Sequence, residues 1–188
     1  MLRQSPFGFA ISTFIWIYPT LLQEFWWRAE AIFQGTRMWI RSTVMNSVII
    51  LSEETLRVAL QLNDGIDATF FTSETLDQTL KEMGYHTPNR PMQISRSGFI
   101  PPYQYLVTQL SVCFSRKHGH FNELSYRLME VVHAVVQDKP YNFSKFLMRD
   151  LEANMHTHKP FLIYPHFVMK VITSQLDFGG VTNWYPRA

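Results

Sequence analysis

Apolar side chains recur along most of this chain at steps of three and four residues, the spacing that lines one face of a helix. Leu22, Phe25, Trp26, Ala29 and Phe33 predict a first helix over Leu21 to Phe33, with Gly35 as its stop. The pattern then changes period. MWIRSTV and VIIL are β-rich runs on either side of Met45-Asn46-Ser47, which predicts a short antiparallel hairpin. Two strands alone are marginal in water, so the hairpin must lean on the helices.

Helical spacing resumes after Ser52, which supplies an N-cap ahead of Glu53 and Glu54, two acids placed to complement the helix dipole. That helix is expected from about Glu53 to Leu62, broken by Asn63-Asp64-Gly65. Thr72 or Ser73 caps the next, in which Leu76, Leu80 and Met83 share a face before Gly84. Pro88 and Pro91 mark a loop. Pro101 and Pro102 suit a first helical turn, where no amide donor is needed, and Leu106, Leu110 and Phe114 continue that helix. Val107, Val112 and Cys113 make it apolar nearly all round, so it is expected at the centre with the stretch carrying Leu124, Leu128, Val131, Val132 and Val135. Asn142 or Ser144 caps a helix with Phe146, Leu147, Leu151 and Met155, and Pro165 opens a last one with Phe167, Val168, Val171 and Ile172. The expected fold is therefore mainly α: a compact helical domain of about six helices with one short β-hairpin near the N-terminal third. It spans residues 16–178, between a poorly defined segment 1–15 and an irregular tail 179–188. No internal repeat or coiled-coil heptad run is present.

Composition narrows the function classes. The 188 residues are 46% apolar and 17% charged, which is too apolar for a disordered chain. Fifteen Phe, eight Tyr and five Trp favour ring-dominated core or contact surface. The net charge of +2 comes from scattered basics with no run longer than Arg116-Lys117. Phosphate neutralisation needs clustered cations, so nucleic-acid contact at Arg37, Arg41, Arg57, Arg116, Lys117 and Arg127 requires that they converge in the fold. The apolar stretch Phe7 to Tyr18 is interrupted by Ser12 and Thr13, closed by Pro19 and shorter than the roughly 20 residues a bilayer requires, which argues against a signal sequence or membrane span. Cys113 is the lone cysteine, so there is no internal disulfide; a reducing compartment, cytoplasmic or nuclear, is expected.

Candidate chemistry is sparse. His118, His120, His156 and His158 form two alternating pairs with no acid or cysteine at ligand spacing, a pattern more typical of solvated loops than of a zinc site. Cys113, His133 and Asp138 have the residue types of a thiolate nucleophile, but Cys113 lies amid Leu110, Val112 and Phe114, where an inert thiol is expected. Asp64 belongs to a turn and Glu74 to a helix start, so with Asp67 they do not read as a metal cluster. Glycine-rich phosphate loops, nucleophile elbows and aspartic-protease triplets are absent. No cofactor, metal, small-molecule substrate or catalytic activity is read. Trp26, Trp27 and Trp39 are the interface candidates, because consecutive rings on a helix cannot both face its core.

Four segments carry a family resemblance: YPTLLQEFWWRAEAIF, VIILSEETLRVALQLND, PPYQYLVTQLSVCFSRKHGHFNEL, and YNFSKFLMRDLEAN with FLIYPHFV, together covering roughly residues 16 to 176. In this order and spacing the chain resembles the Gag-like amino-terminal part of plant long terminal repeat retrotransposon polyproteins. The resemblance runs through core and turn positions such as Phe25, Trp26, Ser52, Phe121, Phe143, Ser144, Tyr164 and Pro165, and no functional residue is carried over from it. It implies a non-catalytic domain that self-associates or packs with other polyprotein domains. The alternatives are a nucleic-acid-binding domain of a mobile element, or a decayed relic, which the poor match of the first dozen residues suggests.

Overall fold

Met45 and Asn46 both adopt left-handed backbone, with φ of 49° and 62°, the geometry of the two-residue turn that matches strand twist. They join β2 (Arg37–Val44) to β3 (Ser47–Leu51) and so fix the register, Val44 opposite Ser47 and Ile40 opposite Leu51. The computed structural model describes residues 10, 15–35, 37–62, 64, 71–85, 94–114, 123–157 and 163–176. Most of the expected segments 1–15 and 179–188, and the loop at Pro88 and Pro91, lie outside the described residues.

The chain divides into two compact units, one of Phe14–Leu60 with Leu147–Ala188 and one of Met1–Thr13 with Gln61–Phe146. The first contains the sheet. Its opening helix, α1 (Pro19–Trp27), is shorter than expected and gives way to a strand, β1 (Glu30–Gln34), antiparallel to β2. The hairpin is thus the inner part of a three-stranded sheet ordered β1-β2-β3. Ala29 and Phe33, read as the continuation of a helical face, belong to this β-side of the molecule. Gly35, with φ of 61°, turns the chain back instead of ending a helix, and ladder bonding to β2 outweighs the modest helix preference of Ala31, Ile32 and Phe33.

Alternation follows from the register. Ile40, Ser42 and Val44 of β2 are buried with Ile49 and Leu51 of β3. α1 packs on β2, and the Ser42 hydroxyl donates to the Phe25 carbonyl at 2.6 Å near the frayed end of α1. Ser52 and Thr55 cap α2 (Glu53–Leu60) reciprocally: Thr55 N–H donates to Ser52 Oγ at 3.1 Å and Ser52 N–H to Thr55 Oγ1 at 2.8 Å. The helix expected from about Glu53 to Leu62 ends at Leu60; in all, seven α-helices are present among the described residues against the expected about six. α2 and β3 pack against α7 (Pro165–Gln175). Tyr164 precedes α7 in left-handed backbone, φ 50°, and its hydroxyl donates to the buried Asp150 carboxylate at 2.5 Å.

The second unit is built on α3 (Ser73–Glu82), α4 (Pro101–Phe114) and α5 (Tyr126–Val136). Thr72 and Ser125 cap α3 and α5 by accepting from Thr75 N–H and Leu128 N–H. Gly84, φ 81°, closes α3 with paired bonds from Gly84 N–H to Lys81 O and Tyr85 N–H to Leu80 O, a Schellman end. α5 is buried on nearly every side, from Leu128 to Val135, as its apolar run implies, and packs against α3 and α4. α4 is more one-sided than expected: Leu106, Val107 and Leu110 are buried while Tyr105 is 66% exposed. Leu124, assigned to helical spacing, instead pairs with Ile94 in a two-stranded ladder, β4 (Ile94–Ser95) with β5 (Glu123–Leu124). The division between units falls within α6 (Phe143–Met155), after Phe146.

A Cβ built on Gly98 would sit 2.3 Å from the Tyr85 ring, which is anchored because its hydroxyl accepts from Ser95 N–H at 3.0 Å. Gly98→Ala is therefore expected to destabilise the protein by about 1–3 kcal/mol, read as a lowered urea midpoint at unchanged slope.

Candidate functional site

The two adjacent tryptophans separate sharply. Trp26 is 6% exposed and meets Phe25 edge-to-face at 5.3 Å, whereas Trp27 is 91% exposed at the end of α1. Among the described residues the buried Trp26 indole N–H has no hydrogen-bond partner, an unusual cost for a core tryptophan. Trp39 is half-buried on β2, on the face opposite Ile40 and directly across from Ile32 of β1. Trp16 and Phe33 add exposed aromatic surface in the same unit, at 51% and 57%.

Of the basic candidates, the fold brings Arg37 and Arg41 to one sheet face, flanking Trp39 at alternate positions of β2. Glu30 lies directly across from Arg41, which offsets that charge. Arg57 lies on α2. Arg127 is engaged within its own unit: its guanidinium donates to the Phe146 carbonyl at 3.1 Å and stacks over the Phe146 ring at 4.6 Å. Arg116 and Lys117 lie outside the described residues.

Asp64 does not stay within its turn: its carboxylate accepts from Ser144 N–H at 2.8 Å, while Asn142 Oδ1 accepts from Lys145 N–H at 2.8 Å. Two side chains separated widely in sequence thus satisfy the first amides of α6, and the Asp64 carboxylate sits at the helix's positive end. Glu74 is exposed in the first turn of α3 and Asp67 lies outside the described residues. His118, His120 and His158 also lie outside them, His156 is exposed, and no group of three metal-ligating side chains occurs among the described residues. Nor is any described helix long and apolar enough to cross a membrane.

His133 is buried in α5, with its Nδ1 2.6 Å from Thr79 Oγ1 and its ring edge-on to Phe71 at 4.3 Å. The hydrogen bond reaches neither Cys113 nor Asp138. The Thr79 hydroxyl also lies 3.1 Å from the Thr75 carbonyl, so which of Thr79 Oγ1 and His133 Nδ1 donates is set by the imidazole tautomer. Burial, reinforced by Lys139 and partly offset by Glu82, holds His133 below the ordinary imidazole value of 6.5.

Sequence reading missed the β1 edge, placing Ala31 to Phe33 on a helix. The available signal was Gln34-Gly35-Thr36-Arg37, a two-residue glycine turn between Ile32-Phe33 and the β-run Met38-Trp39-Ile40.

A lowered pKa in the folded state means the neutral form is favoured, so the His133 contribution to stability is complete above 6.5 and lost as pH falls through the folded value. The melting temperature should drop from about pH 7.5 to about pH 5, with a shallower drop in His133→Gln.

Comparison with family models, curated proteins and solved structures finds no match to this chain.

Proposed function

We propose that this chain is a non-catalytic domain that acts by self-association, the role implied by its resemblance to the Gag-like segments of plant retrotransposon polyproteins. The observation that carries the reading is Trp27, an indole left 91% exposed on an ordered helix. Large apolar rings held in water are characteristic of contact surfaces, and tryptophan is among the residues most often dominating binding energy. The partner is a second copy of the chain or a neighbouring domain of the same polyprotein. A lone cysteine suits a reducing cytoplasmic or nuclear setting.

Light scattering coupled to size-exclusion chromatography over a concentration series tests this. The mass should climb with concentration, and Trp27→Ala should weaken association by about tenfold while leaving the melting temperature unchanged, since its side chain contributes little to the core. A constant monomer mass would refute the reading; a mass change seen only on adding nucleic acid, and reversed by salt, would replace it with nucleic-acid binding.

A further inference from the structure

The two edges of the sheet are treated differently. On β3, Ile50 N–H donates to Gln175 Oε1 at 2.8 Å and Ile50 O accepts from Gln175 Nε2 at 2.7 Å, so one side-chain amide closes that edge by mimicking a strand. β1 has no equivalent cover among the described residues. The register determines which of its groups face outward. Val44 and Ser47 flank a two-residue turn and exchange hydrogen bonds, so the Arg41–Ile50 pair does not, in agreement with Ile50 turning to Gln175. Carried across β2, the alternation directs Glu30, Ile32 and Gln34 toward β2 and leaves the N–H and C=O of Ala31 and Phe33 pointing away from the sheet.

Those outward groups are self-complementary. We infer that β1 is a homodimer edge, pairing antiparallel with β1 of a second copy about a two-fold axis through Ile32, to give a continuous six-stranded sheet. This rests on the self-association reading and adds a strand edge to the contact at Trp27. Ala31 of each copy exchanges two hydrogen bonds with Phe33 of the other, four in all. On one sheet face the small Ala31 meets the bulky, half-exposed Phe33. On the other, Ile32 meets its own symmetry mate, extending the Ile32–Trp39 cross-strand pair into an apolar row across both copies.

Charge agrees with the same register. Glu30 falls opposite Gln34 of the second copy, so that the row reads Arg41, Glu30, Gln34, Arg37, with no like charges adjacent. Slipping the pairing by two residues in one direction sets Glu30 against Ile32; in the other it sets Ile32 against Gln34. Both slips also forfeit outward hydrogen bonds. Because Gln175 occupies the far edge, the assembly closes at two copies and does not propagate.

The test uses the full chain. Ala31→Pro removes an amide donor that β2 does not use, and proline is tolerated at such an edge position, so folding should survive while the dimer dissociation constant rises about tenfold or more. Independently, in a Cys113→Ser chain, Ile32→Cys should form an intermolecular disulfide under mild oxidation, since opposed residues in such a pair approach to about 4.5 Å between Cα atoms. Ala31→Cys and Phe33→Cys should lag well behind, because each lies more than about 7 Å from its own symmetry mate. A self-associating protein with equal cross-linking at all three positions, or with an unaffected Ala31→Pro variant that is folded, overturns the edge and leaves self-association standing. A protein monomeric at every concentration overturns both. Should Ala31→Pro fail to fold, the cysteine series alone decides.

Discussion

A two-residue turn governs the sheet-containing unit. With Met45 and Asn46 both at positive φ, the β2–β3 register is fixed, and because side chains alternate along a strand, a shift of one residue would send Ile40, Ser42 and Val44 to the solvent face. The docking of α1 depends on that choice, since Ser42 must face inward to bind the Phe25 carbonyl. So does the closure of β3, which requires Ile50 to present its backbone groups to Gln175. The outward turn of the Ala31 and Phe33 backbone groups on β1 is the remaining consequence. Met45 is a costly residue for such a conformation, left-handed backbone being easiest for glycine and asparagine.

The second unit uses buried polar groups as fixtures. His133 ties α5 to α3 through Thr79, and Asp64 with Asn142 satisfies the start of α6. Of the groups that resembled part of a catalytic or metal-binding set, Asp64 is committed to a backbone amide and His133 to a neighbouring hydroxyl. Tyr141 follows the same rule, with its hydroxyl donating to Glu130 and its ring stacked at 5.8 Å on Phe71.

What was legible in the sequence was what local chemistry decides. Ser52, Thr72, Pro101 and Pro165 mark helix starts because capping oxygens and missing amides act within one turn of the chain. The hairpin was legible for the same reason. What escaped was decided by partners distant in sequence. Glu30–Gln34 is equally compatible with a helix until β2 supplies a ladder, and Leu124 is a helical residue by spacing but a strand residue by its pairing with Ile94. The candidate surface was half legible: helical geometry alone implied that Trp26 and Trp27 would diverge, but which ring would be covered depended on where β2 lies.

The clamp between Gln175 and Ile50 joins residues 125 positions apart, and the unit it completes is interrupted in sequence by Gln61–Phe146 of the other unit. During synthesis at roughly 5–20 residues per second, β3 therefore emerges many seconds before the amide that shields it. Over that interval the β3 edge of the nascent sheet stands uncovered by Gln175, and neighbouring nascent chains on a polysome can pair along it. Timing of translation thus bears on this protein directly: a pause placed after the hairpin lengthens the dangerous window, and rapid passage to residue 175 shortens it.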